Sequence, residues 1–558
     1  MRRSISFRPA AAAAFLALAA ACGGGGGSPG SVTVSPASPG VGVGRAQQFT
    51  ATVPGAASQV VTWSIQEGDA GGSISPEGLY VAPTLPGTFH VVATSAADPS
   101  RRGSTTAYVL LPAACTPTGP QPSALPAAQV LELGVHAVGE TVTFQVPAGT
   151  GSVTLLQQGA EPLAAQSITL RGVAYPNTVV PGSIAVNGKA FYDENTAPPA
   201  NPAAWGSPDG IGSIFFESSA PWTGTLTVPN TSNALEYVAA HGGVPSGTWS
   251  VRIFDDASGC SKPSCTVGDG VSRYPPGKYD LQVLLKPGTV AANGTIDVNA
   301  YLVTDRFTAA TAEADASMTR MRVTLAGFLA RAGLALGTLR FVDLPPGVKA
   351  QYAAGVDVDD LEACGEVATL LSLAGPGNAM NLFLVNSLVS SQSGGTTVIG
   401  QDGSIPGPSS VGGTVASGAL VSVADLGGGG TAACSGATNL QGCGADFTAY
   451  IAAHEMGHAL GLYHDTEWTG TLFDPVKDTP VCECRLCAVD KGNCYAGTRT
   501  PSTYQMTVAD CTNRPATTCG GGENLMFWLL DEQLSQGTLT SQQSSIVRAN
   551  PLVRQGSP

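Results

Sequence analysis

The chain has little charge: Asp, Glu, Lys and Arg make up only 12% of its 558 residues. A chain so sparing of charge is not built mainly from exposed helices laced with ion pairs. Basic residues are scarcer still, with 26 Lys and Arg against 40 Asp and Glu and a formal net charge of −14. That removes the basic footprint of a nucleic-acid binder, so no nucleic-acid partner is expected. No apolar run reads as a membrane span, which takes about 18–20 residues; the run from Ala10 to Ala21 falls short. Histidine is rare too, six in the whole chain. What is plentiful is glycine, 71 residues, and proline, 40, within a chain that is 43% apolar. That balance suits β-rich, turn-rich exported modules. The length exceeds what one core supports and implies about three or four domains.

Arg2, Arg3 and Arg8 ahead of the small-residue run Ala10 to Ala21 read as an export signal. The string Leu18-Ala19-Ala20-Ala21-Cys22, followed by Gly23 to Gly27 and Ser28, resembles a bacterial lipoprotein signal. Leu18 stands four positions before the cysteine rather than the usual three. The resemblance implies that residues 1–21 are removed, that Cys22 is lipidated, and that 22–30 form a glycine-rich tether. An ordinary secretory signal cut near the same place is the alternative. Gly23 after the cysteine implies the outer membrane in a two-membrane cell. The chain is thus expected in the cell envelope, with the membrane as partner through Cys22, or secreted.

Of the 13 cysteines, twelve remain after Cys22, an even number. An oxidising compartment makes disulfides their default. Cys260 with Cys265 and Cys434 with Cys443 are plausible local bridges, and the pairing of the six from Cys482 to Cys519 stays open. Within that insert, Cys482-x-Cys484-x-x-Cys487 with Cys494 is also compatible with a structural zinc site.

Residues 31–111 alternate in strand fashion, as in Gln48-Phe49-Thr50-Ala51-Thr52-Val53, and turn signals recur about every ten residues. The segments Val61-Thr62-Trp63-Ser64, Gly78-Leu79-Tyr80-Val81-Ala82-Pro83 and Val92-Ala93-Thr94-Ser95 resemble bacterial Ig-like repeats, which implies a spacer or adhesive module. A Pro-rich linker, 112–127, leads into a second β-rich region, 128–293. Thr141 to Val146 and Gly247 to Phe254 alternate as strands, and the latter with Tyr279 to Val283 loosely resembles the jelly-roll P-domain of some secreted peptidases. Asp255-Asp256 and Asp269-Gly270 are turn acids on one reading and Ca2+ ligands on the other. From residue 294 to 558 strands alternate with helices: Ile296 to Val303, a helix from Ala309 to Ala332, then strands Leu339 to Leu344 and Asn381 to Val385. Ala419 to Val423 reads as an exposed strand.

The chemistry concentrates in His454-Glu455-Met456-Gly457-His458-Ala459-Leu460-Gly461-Leu462-Tyr463-His464, at the end of an amphipathic helix starting near Phe447. At about 3.6 residues per turn, His454 and His458 share a face and can meet one Zn2+ ion. Gly461 can end the helix in the left-handed conformation, and the returning chain can bring His464 in as third ligand. Three ligands leave a fourth position for water, the arrangement of a catalytic site, with Glu455 beside it. These are the only three histidines of residues 294–558. The chance occurrence of such a string in this chain is roughly one in ten thousand or lower.

This pattern resembles the metzincin clan of zinc metallopeptidases, and Glu523-Asn524-Leu525-Met526-Phe527 is similar to the clan's methionine turn. With Asp474-Pro475-Val476-Lys477-Asp478-Thr479-Pro480, the likeness is strongest to the pappalysin-like branch. Asp465 after the third histidine fits the reprolysin branch, and Trp528 stands where several branches carry tyrosine. The resemblance implies a multidomain chain: an Ig-like sandwich, a second, jelly-roll-like sandwich and a C-terminal α/β metzincin-like domain. It implies one catalytic Zn2+ held by His454, His458 and His464, Glu455 as general base, Met526 in the turn, and a protein or peptide substrate lying along an exposed strand, for which Ala419 to Val423 is the candidate. The alternatives are an adhesive lipoprotein with an inactive domain, and a latent enzyme with 112–297 as a removable cap. A monomer is the default expectation. Fatty-acid labelling of cells should mark the wild-type chain and leave Cys22→Ala unlabelled; equal labelling of both would end the lipoprotein reading.

Overall fold

The computed structural model describes residues 31–110, 128–159, 179–193, 223–255, 278–359, 365–427, 442–467, 473–480, 520–530 and 537–555, short gaps apart, together with isolated short strands at 4–7, 121–122, 168–170 and 173–175. Cys22, Asp256, Asp269 and the cysteines from Cys482 to Cys519 lie outside the described residues. Cys443 is disulfide-bonded; its expected partner, Cys434, also lies outside them. Among the described residues no helix is long and apolar enough to cross a membrane.

The N-terminal β-module closes around Phe49, Val53, Tyr80, Val91, Ala93, Ala107 and Val109. Its largest sheet orders the strands Gly40–Gly42, Arg102–Leu110, Gly87–Ser95 and Val61–Ile65. The next region forms two four-stranded sheets. In Thr141–Val146 every second residue is buried, so Val142, Phe144 and Val146 enter a core with Trp249, Val251 and Ile253. The helix Ser232–His241 interrupts the described strands of this region; Thr231 caps its start and Gly242, at φ +75°, its end.

The C-terminal region is a mostly parallel sheet with helices against it. Its elements are β1 (Gly294–Leu302), α1 (Ala316–Arg331), β2 (Leu334–Asp343), β3 (Met380–Val385), β4 (Thr397–Asp402), β5 (Ala419–Ser422), α2 (Gly444–Ala459), α3 (Ser541–Ala549) and β6 (Arg554–Gln555). The order is β4-β5-β3-β1-β2, with β6 paired to β1. Strands β1, β2, β3 and β5 run parallel and β4 antiparallel to β5. The expected helix over 309–332 is broken: Asp315 accepts from the Ser317 and Met318 amides, so it caps α1 and ends the short helix Ala309–Ala314. The apolar stripe Met318, Met321, Leu325, Phe328 and Leu329 is buried as its spacing predicts. The Phe328 ring meets Tyr450 of α2 edge-on at 5.6 Å, and Arg320 grips Asp446 with two bonds of 2.7 and 2.8 Å.

Two expectations change. Ala419–Ser422 is no exposed strand: all four residues are buried, because β5 is flanked by β3 and β4. The outer strand is β4, whose far edge carries Ser4–Phe7 running antiparallel. Helix α2, expected to be amphipathic, is buried on every side, since it lies between the sheet and other chain segments.

The second β-module is packed onto this region. Along Lys278–Pro287, Tyr279, Leu281, Val283 and Leu285 face the module's own core, while Leu284 joins the C-terminal core. Lys286, 2% exposed, donates to the carbonyls of Arg548, Asn550 and Val553 at 2.6, 2.9 and 2.7 Å. Ser152 Oγ adds a 2.7 Å bond to the Ala549 carbonyl. Burial pushes the Lys286 pKa down to about 7; the carbonyls at and just beyond the end of α3 favour the charged form. A removable cap would leave this polar interface without partners. Replacing Lys286 by Met strands three carbonyls and should cost about 1–3 kcal/mol, read as a lower midpoint of thermal unfolding; an unchanged midpoint would show that the bonds contribute nothing.

Candidate metal centre

Helix α2 places His454 and His458 one turn apart, both buried. It stops after Ala459, and Gly461 takes φ +113°, a conformation that side-chain-bearing residues rarely adopt. The amide of Leu462 returns to the Gly457 carbonyl at 2.9 Å, and two residues later His464 faces the other two. The Nε2 atom of His464 lies 3.3 Å from Nε2 of His454 and 3.2 Å from Nε2 of His458.

The opposite nitrogen of each ring explains what those distances mean. Nδ1 of His454 donates to the Leu525 carbonyl at 2.6 Å, that of His458 to the Leu462 carbonyl at 2.7 Å, and that of His464 to Glu467 Oε1 at 2.9 Å. The acceptors are oxygens, so each ring carries its proton on Nδ1 and turns an Nε2 lone pair inward. Three lone pairs cannot hydrogen-bond to one another. They can share a cation: a tetrahedral ion with bonds of about 2.0–2.1 Å sets its nitrogen ligands roughly 3.3 Å apart. Burial, reinforced by His464, holds the His454 pKa well below that of a free imidazole, which keeps it in the neutral form a metal requires.

Glu455 follows His454 and is fully buried, and neither of its carboxylate oxygens has a hydrogen-bond partner. Burial raises its pKa well above the ordinary value, and Asp402 on β4 raises it further. Its seat depends on Gly400, where a Cβ would lie 2.2 Å from Glu455 Oε1.

Below the histidines the chain Asn524-Leu525-Met526 turns under α2. A Cβ on Gly457 would lie 2.5 Å from Met526 Sδ, so the glycine in the motif makes room for that sulfur. The Leu525 carbonyl takes the Tyr450 hydroxyl at 3.0 Å as well as the His454 ring. Asn524 Oδ1 accepts the Met526 amide, and its amide group donates to Gln543 of α3, which donates to Asp474. The Asp465 amide donates to the Met526 carbonyl at 3.1 Å. Burial raises Asp465 well above the usual carboxylate range and pushes Asp474 up to about 8. Trp528 is buried two residues on and offers only an N–H, so it cannot ligate a metal.

No family model matches the chain, and no curated protein does. Among solved structures it is similar to metalloproteinase-II from Bacteroides fragilis, at 12% identity over 36% of this chain and 60% of that one, with a TM-score of 0.19. It is also similar to the M60 catalytic domain with the CBM51-1 and CBM51-2 domains from Clostridium perfringens ZmpB, at 11% identity over 50% of this chain and 25% of that one, TM-score 0.12. The chain thus spans less than two thirds of either protein.

Three contributors to the site had no place in the sequence reading. Glu467 stands only three residues past His464, a spacing at which a carboxylate beside a histidine signals a ring partner. Asp402 and Gln543 arrive from distant elements and carry no local signal. Glu467→Ala should weaken zinc binding by about 10–100-fold in competition with a chromogenic chelator. An unchanged affinity would show that Glu467 does not orient His464.

Proposed function

We propose that the chain is a zinc-dependent endopeptidase of extracellular or periplasmic proteins, with His454, His458 and His464 as zinc ligands and Glu455 as general base. The observation that carries this reading is the convergence of three buried Nε2 lone pairs at 3.2–3.3 Å beside a carboxylate with no other partner. Zinc, when bound, supplies a Lewis acid that polarises a carbonyl and lowers the pKa of water towards about 7. Glu455 takes the proton from the attacking water and delivers it to the leaving amine. No covalent intermediate is needed.

Strand β4, with Gly400 against Glu455 and an outer edge that already takes Ser4–Phe7 antiparallel, suits an extended substrate held through its backbone. The buried turn at Met526, tied to Asp465 and through Asn524 and Gln543 to Asp474, supports a metzincin-like assignment. Export and anchoring through Cys22 are part of the same proposal. The adhesive alternative requires a degenerate centre, whereas all four chemical residues are present and assembled.

The test compares protein lacking residues 1–30 with its Glu455→Ala variant, measuring zinc content and cleavage of a denatured protein. Both should bind zinc, and cleavage should fall about a hundredfold or more in the variant. Absence of zinc from both would remove the reading.

A further inference from the structure

Beyond the three-histidine group, α2 also faces a carboxylate from the sheet, that of Asp402. Residues 400 and 402 are two apart on β4, so they share a face of the strand. Gly400 lies against Glu455, and Asp402 is next on that face. Carboxylate oxygens of Asp402 and Glu455 and a ring nitrogen of His458 all lie within 4.8 Å of one another. All three residues are buried: Asp402 is 7% exposed, Glu455 0% and His458 1%. Both Glu455 oxygens are without partners.

We propose that Asp402 and Glu455, beside His458, form a second, weaker site for a divalent cation, and that filling it switches the peptidase off. Two buried carboxylates offer oxygen ligands to a divalent cation, and His458 sets it beside the first ion. Two carboxylates buried side by side repel each other until a cation or a proton lies between them. The site is the weaker of the two because His458 Nε2 already belongs to the three-histidine group, which leaves the second ion two carboxylate ligands from the chain. Occupation inhibits because a Glu455 carboxylate committed to a cation cannot take a proton from water. Asp402 is thereby the residue that makes the centre responsive to zinc concentration. This inference rests on the peptidase reading above.

Zinc is titrated into metal-stripped mature protein, with stoichiometry measured by calorimetry and by elemental analysis after dialysis, and cleavage followed in parallel. The wild type should take up two ions per chain, the second at least about tenfold more weakly, with cleavage falling as the second fills. Asp402→Asn should keep the first ion and lose the second. Its own one-zinc activity, whatever its level, should then not decline over that range, while Asp402→Glu should retain both ions. One ion per chain in the wild type, with activity that excess zinc leaves unchanged, overturns this proposal and leaves the peptidase reading standing. A second ion persisting in Asp402→Asn also overturns it. No ion at all in the wild type overturns both readings. The wild-type stoichiometry decides the matter even if Asp402→Asn fails to fold.

Discussion

The centre depends on where three protons sit. Each imidazole has two nitrogens, and the fold decides which is protonated by setting an oxygen against Nδ1: two backbone carbonyls, of Leu525 and Leu462, and the carboxylate of Glu467. With Nδ1 satisfied, the three Nε2 lone pairs have no donor and are forced together. Carbonyls cannot rotate away as side chains can, so two of the three orientations are fixed by main chain. The turn at Gly461 and the turn through Met526 therefore act on the rings directly, by presenting Leu462 and Leu525.

Much of this was legible locally. The spacing of the three histidines, the glycine that ends the helix, and the apolar stripe of α1 depend on residues within a turn or two of one another. Helical periodicity encodes such relations. The amphipathic reading of α2 failed for the opposite reason: His454, Glu455 and His458 are buried because they serve the centre, and the Thr448 hydroxyl is satisfied by the Gly444 carbonyl, so polarity did not report exposure. Ala419–Ser422 misled in a related way. Sheet order is a non-local property, and a short apolar strand reads alike whether it lies at an edge or inside. Asp402 was invisible for the same reason, since only the pairing of β4 with β5 carries it to α2.

Two glycines show how closely the elements approach. On one side Gly400 lets the Glu455 carboxylate lie against the sheet; on the other Gly457 lets the Met526 sulfur lie against the helix. A methyl group at position 400 would displace the Glu455 carboxylate, and one at position 457 the Met526 sulfur. Glycine at position 457 is thus a statement about helix-to-turn distance as much as about helix propensity, which it lowers.

The interface around Lys286 bears on how the chain comes to be folded. Its three acceptors belong to Arg548, Asn550 and Val553, which follow the lysine by 262, 264 and 267 positions. A loop of that length must close before the Lys286 contacts can form, so the second β-module and the C-terminal region join late rather than early.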